Sequence, residues 1–273
     1  LRRPILVAAF EGWNDAADAA SASVGYLSEL WGARSFASID PEEYFDFSLT
    51  RPRVRLTDDH ERRIEWPTNE LRCAVMADLP HDIVLLAGTE PNLRWRRFCA
   101  ELISVTEALG VEMVVTLGAL LADVPHTRPV RVSGTAADSE LAARLHLERS
   151  RYEGPTGIVG AFGDALRQAG VPSASLWATV PHYVGQTPSP KAALALIEKT
   201  AALLGVPVRT RELEEAAAEY ETKVNELVQA DSDIAEYVAQ LEEDEEPELE
   251  LEIEGAESLA AEVERFLRDH GPK

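Results

Sequence analysis

Apolar runs of strand length alternate along this chain with segments of helical period. Residues 4–10 form an unbroken apolar run and predict a buried strand. The polar loop Glu11-Gly12-Trp13-Asn14-Asp15 follows at once. After it, Ala16, Ala17, Ala19, Ala20, Val24, Leu27 and Leu30 recur at helical spacing up to Gly32. Strand, tight polar turn and helix make the first half of a βαβ unit. Further strands are predicted at residues 34–39, 82–87, 112–117, 129–133 and 174–180, with an antiparallel hairpin pairing 54–56 with 62–66 around Thr57-Asp58-Asp59. The strand at 112–117 is expected to stop before Gly118. Helices are predicted at residues 93–109, 138–147 and 157–170. Another opens on the N-cap Ser189 and first-turn Pro190 and ends near Gly205. This alternation implies an α/β fold, with a mainly parallel sheet covered by helices on both faces.

The pattern changes at Arg211. Leu213, Ala217, Tyr220, Val224, Leu227, Ile234, Val238 and Leu241 follow a 4-3 spacing interrupted at Asp231. Asp231-Ser232-Asp233 can cap a new helix, so a helical hairpin is expected rather than one rod. The chain thus divides into an α/β core domain, residues 1–210, and a helical C-terminal extension, 211–273. Within the extension, residues 242–254 are acidic and of low complexity and are expected to be disordered. Leu259, Val263, Phe266 and Leu267 form one face of a last short helix.

Charge sharpens this division. The chain carries a net −22. Residues 211–273 hold 22 acidic and 5 basic side chains, and the first 210 residues 26 and 21. The acidity is that of an exposed arm, which either serves solvation or offers a docking surface to a basic partner. It argues against nucleic acid, whose phosphates need a positive field. No apolar stretch reaches the roughly 18 residues of a membrane helix and no signal peptide shows, so a cytoplasmic protein without membrane contact is expected. Cys73 and Cys99 are isolated and read as buried free thiols.

Four loops leave the carboxyl ends of apolar strands, where open α/β sheets hold ligands. They carry Glu11, Asn14 and Asp15; Glu90 and Arg94; Asp123, His126, Thr127 and Arg128; and His182 and Tyr183. In a parallel sheet they share one edge. There they either converge on a polar pocket suited to acid–base work on an anionic or sugar-like substrate, or serve as caps and salt bridges. The run Gly154-Pro155-Thr156-Gly157-Ile158-Val159-Gly160 opens a helix. It is neither a Walker loop nor a dinucleotide fingerprint, and it serves either close packing or an anion. His126 and His182 have no third partner at a metal-ligand spacing. No G-x-S-x-G elbow is present. No metal and no cofactor is therefore expected, and the five tryptophans read as core or interface anchors.

The segments GWNDAADAAS (12–21), DPEEYFDF (40–47), GTEPNLRWRRF (88–98), TLGALLADVPHTRPV (116–130), GPTGIVGAF (154–162), SLWATVPHYV (175–184) and SPKAALALIEK (189–199) together resemble the actinobacterial branch of the proteasome-assembly-chaperone-2 family. The similarity runs over roughly residues 4–270. It implies a fold related to the nucleoside-phosphorylase type and self-association into a homo-oligomer. Eukaryotic members guide proteasome α-ring assembly without ATP, docking through a C-terminal hydrophobic–tyrosine–any tail; this sequence ends Asp269-His270-Gly271-Pro272-Lys273 instead. The resemblance implies a non-catalytic protein-binding module with proteasome subunits among its partners. The other reading is an enzyme of nucleosidase or phosphorylase type using the strand-end pocket.

Overall fold

The computed structural model describes residues 1–57, 59–136, 138–148, 150 and 152–243. In chain order the elements are β1 (Ile5–Glu11), α1 (Ala19–Leu30), β2 (Arg34–Ile39), β3 (Arg53–Leu56), β4 (Arg62–Glu65), β5 (Asn69–Ala74), β6 (Ile83–Thr89), α2 (Trp95–Leu109), β7 (Met113–Ala122), β8 (Val132–Ala136), α3 (Ser139–Leu145), α4 (Ile158–Gln168), β9 (Ser173–Pro181), α5 (Pro190–Leu204), α6 (Arg211–Ala230) and α7 (Ser232–Glu243). Seven strands form one sheet in the order β2-β5-β6-β1-β7-β9-β8, and β3 and β4 make a separate two-stranded sheet. The central strands β6, β1, β7 and β9 are parallel, while β5 and β8 run against their neighbours.

Strand alternation builds two cores from one sheet. On β1, Val7 and Ala9 join Leu85, Val115 and Leu117 on the face packed by Val24 and Leu27 of α1 and Leu196 and Ile197 of α5. Leu6, Ala8 and Phe10 point the other way, toward Phe98 and Leu102 of α2 and Phe162 and Leu166 of α4. The six β1 side chains from Ile5 to Phe10 are buried, which is why the run reads as continuously apolar.

Strand β7 does not stop before Gly118 but continues to Ala122. The glycine is a packing device: a Cβ there would lie 2.6 Å from the ring of Trp177 on β9. The thiols of Cys73 and Cys99 are free, and only Cys99 is buried; Cys73, on β5, is half-buried. Trp13 and Trp66 are about half exposed, at 47% and 48%.

The C-terminal helices form a hairpin broken at Asp231, whose carboxylate accepts from Asp233 N and Ile234 N. Helix α6 packs along α5. Tyr220, Val224, Val228 and Val238 bury one another, with Tyr183, Val184 and Ile234 at the margin. Leu227, expected on the seam, is 62% exposed, and Val228 takes its place. A straight α-helix drifts from a strict 3.5-residue repeat, so after 217, 220 and 224 the next inward position is 228. Glu242 and Glu243 belong to α7, so a disordered segment beginning at 242 is corrected there. Residues 244–254 and the expected final helix lie outside the described residues.

Candidate functional site

The four loops leave the same edge, because β1, β6, β7 and β9 run in parallel. They do not make one pocket. Their polar side chains fall into two clusters, and Arg94 belongs to neither.

The first cluster lies over β1 and β6. Asn14 is buried; its Nδ2 donates to Glu90 Oε1 at 3.0 Å, and its carbonyl accepts from Ala119 N at 2.8 Å. The same Glu90 oxygen accepts from Ile158 N at 2.7 Å. Ile158 is the first residue of α4, so the anion position at that helix start is filled by the chain's own carboxylate. Gly157 makes the approach possible, since a Cβ there would lie 2.2 Å from Asn14 Nδ2. Asp15 is buried, and its Oδ1 accepts from Ala20 N at 2.6 Å and Ser21 N at 3.2 Å, capping α1. Burial pushes its carboxyl up to about 6 against the opposing effect of these hydrogen bonds. Glu11 is exposed, with Thr89 Oγ1 at 3.4 Å. Arg94 turns away and pairs with Glu43 at 2.7 Å.

The second cluster lies over β7 and β9, under the helical hairpin. His126 is buried at 4% exposure with both ring nitrogens engaged. Its Nε2 faces Asn225 Oδ1 at 3.1 Å, and its Nδ1 faces the Tyr183 hydroxyl at 2.8 Å. An amide oxygen only accepts, so Nε2 carries the proton and Nδ1 accepts from tyrosine. Burial raises the Tyr183 hydroxyl to about 12. Asp123 Oδ1 accepts from the Tyr237 hydroxyl at 2.7 Å and lies 3.0 Å from His182 Nδ1. Burial and Asp123 together raise the Tyr237 hydroxyl. Lys191 Nζ donates to His126 O and Glu221, each at 2.5 Å. Thr127 Oγ1 and Arg128 Nη2 hold Glu242 of α7, each at 2.6 Å.

A cavity of about 320 Å³ opens in this second cluster, lined in part by Asp123, His126, Arg128, Lys191, Tyr220 and Tyr237. Glu11, Asn14, Asp15, Glu90 and Arg94 do not line it. Sequence reasoning missed Lys191, Glu221, Asn225 and Tyr237, because helices far along the chain bring them to the strand edge. Tyr220 was legible only as a seam position. Among the described residues, no three His, Cys, Asp or Glu side chains gather as a metal centre, and no helix is long and apolar enough to cross a membrane.

Fold and site define an α/β protein whose parallel strand ends are partly closed by internal carboxylates and partly roofed by a helical hairpin. The sequence profile of the PAC2 family matches residues 9–228. The chain belongs to that family. A PAC2 family protein from Streptomyces avermitilis is 51% identical, covering 86% of this chain and 99% of its own, with a TM-score of 0.80. The proteasome-assembly chaperone homologue Rv2125 of Mycobacterium tuberculosis is 45% identical over 86% of this chain and 99% of its own, with a TM-score of 0.78. PbaB of Pyrococcus furiosus, an archaeal proteasome activator, shares the fold at 17% identity and a TM-score of 0.68, over 83% of this chain and 94% of its own. Comparison with curated proteins returns no match.

Proposed function

We propose that this chain is a non-catalytic protein-binding module that assists proteasome assembly. One observation carries the reading beyond family membership: Glu90, Asp15 and His126 at the strand ends are engaged by their own chain. Glu90 is held by Asn14 and a helix start, Asp15 by α1, and both nitrogens of His126 by Asn225 and Tyr183. A general acid or base must be within reach of substrate, and these groups are turned to structure. The 45% identical relative described as a proteasome-assembly chaperone homologue supports the partner class. The module works in the cytoplasm as a homo-oligomer, its core at residues 1–210 and its extension at 211–273 serving as separate contact elements.

The test is reconstitution. Recombinant proteasome α and β subunits of an actinobacterium are mixed with and without the full chain, and ring intermediates are followed by native electrophoresis and mass photometry. The chain should bind α-subunit intermediates and raise the rate or yield of assembled particles. No binding at about 10 μM and unchanged assembly would refute the proposal.

A further inference from the structure

The cavity of about 320 Å³ over β7 and β9 has walls from two parts of the chain. The core supplies the loop after β7, with Pro125, Pro129 and Val130, and the end of β9 at Thr179 and Pro181. The arm supplies Tyr220 from α6 and Tyr237 and Leu241 from α7. Prolines, aliphatic side chains and tyrosine rings make most of the surface, which is the composition of a small-molecule site. An apolar cavity of about 150 Å³ holds one benzene, so this one has room for about two fused rings, roughly ten to twelve non-hydrogen atoms.

The charges around it cancel. Arg128, Arg131 and Lys191 line it, and so does Asp123; Glu221 is bonded to Lys191 at 2.5 Å and Glu242 to Thr127 at 2.6 Å. Asp123 is taken by Tyr237 and His182, Lys191 also by the His126 carbonyl, and both arginines are engaged within the chain. A charged ligand would have to break one of these contacts or be buried without a partner. Two hydroxyls are less well satisfied. Tyr220 is 7% exposed, and its hydroxyl finds no hydrogen-bond partner among the described residues. Ser189 beside it already accepts from Ala192 N at 3.2 Å as the cap of α5, so the valence left on Tyr220 is its O–H donor. Thr179, also buried, reaches Arg131 O only at 3.5 Å. A buried donor of this kind calls for an acceptor.

We propose that this cavity is a binding site for a small uncharged molecule, mostly apolar and about two rings in size, whose carbonyl or ether oxygen accepts from Tyr220. Part of the wall belongs to α6 and α7, so the occupant bridges arm and core. A ligand that binds only when the arm is docked stabilises the docked form by mass action. The site therefore couples the presence of a neutral small molecule to the position of the arm.

The test titrates the isotopically labelled full chain with three probes, followed by amide NMR: the neutral ketone 1-indanone, its hydrocarbon counterpart indane, and the anion indane-2-carboxylate. Shifts should concentrate at Val130, Thr179 and Leu241. The Kd of 1-indanone should lie below about 1 mM, with indane about fivefold weaker and the carboxylate at least about tenfold weaker. Tyr220→Phe keeps the cavity and removes the donor, so it should bind the two neutral probes about equally. Val130→Trp should fill the cavity and abolish the binding of both, with thermal melting checking its fold; Tyr220→Phe decides the matter alone if that variant does not fold. At about three times its Kd, 1-indanone should slow hydrogen exchange of the α7 amides about fourfold in the wild type. No shifts at lining residues with about 3 mM 1-indanone, tighter binding of the carboxylate, a ketone preference that survives Tyr220→Phe, binding unmoved in a folded Val130→Trp, or α7 exchange unchanged by bound ketone would each overturn the proposal.

Discussion

Replacing Val224 by Asp tests whether the helical hairpin is held by its apolar seam. Val224 is 2% exposed, packed among Tyr220, Val228 and Val238. Losing its burial removes about 1.5–3 kcal/mol. Placing an ionised carboxylate there without a partner costs several kcal/mol more. The α6–α7 arm has no strand in the sheet, so it can undock without unfolding the core. The loss is then capped at the arm's own docking free energy. Two probes separate these events. The sequence has no tryptophan after Trp177, so tryptophan fluorescence reports the core alone. Far-UV circular dichroism also sees the 20 and 12 residues of α6 and α7, which are marginal helices when undocked. Val224→Asp should therefore lower the helical signal in buffer, split the dichroism and fluorescence transitions in urea, and open a protease site after residue 210. Val224→Ala should cost about 1–3 kcal/mol while keeping the transitions coincident. Coincident transitions at the wild-type midpoint in Val224→Asp would refute the packing argument.

Glu90→Ala strips two buried donors, Asn14 Nδ2 and Ile158 N, of their acceptor. A urea titration should show a loss of about 2–5 kcal/mol, and Glu90→Gln, which keeps one acceptor oxygen, should lose clearly less. Asp15 has a folded value of about 6, above the ordinary 3.8, so its contribution is fully present below pH 3.8 and is lost as pH rises through 6. Between those values the wild type should lose about 3 kcal/mol relative to Asp15→Asn, read from denaturation midpoints at pH 4, 5, 6 and 7. Parallel curves for the two proteins would refute that account. Gly118→Ala pushes a methyl into the Trp177 ring, so it should lower stability by about 1–3 kcal/mol and shift the tryptophan emission; an unchanged midpoint would contradict the packing.

Burial on both faces is what made the central strands legible. β1, β6, β7 and β9 carry apolar residues at nearly every position, and such runs stand out whatever the register. The end of β7 was misplaced because Gly118 reads locally as a terminator, and its reason, the Trp177 ring, is 59 residues away in sequence. The break at Asp231 was legible because capping is local, whereas the exchange of Leu227 for Val228 depends on accumulated helix phase. At the strand edge, Asp15 as a cap was one of the two roles the residues allowed. The pairing of Glu90 with Ile158, and of His126 with Asn225, joins positions 68 and 99 residues apart. No local pattern encodes such partners, so one polar edge was expected where two closed clusters exist.

The occupancy of those clusters bears on where function resides. In an open α/β enzyme the strand-end loops keep valences for a ligand, and the helix start nearest them receives its anion. Here Glu90 fills that position from within, and Lys191 in the neighbouring cavity is already balanced by Glu221 and the His126 carbonyl. A substrate anion would have to displace a covalently tethered carboxylate, whose effective concentration exceeds that of a free metabolite. Exposed apolar and aromatic side chains lie instead on the outer surface. Half-exposed Trp13 and Trp66 and the exposed aliphatic side chains Val54, Leu56 and Ile64 of the hairpin remain available there. Aromatic and arginine side chains with exposed aliphatic neighbours are the composition of a protein interface. On the proposed reading the folded edge of the sheet is a rigid support, and binding is expected on the elements that project from it.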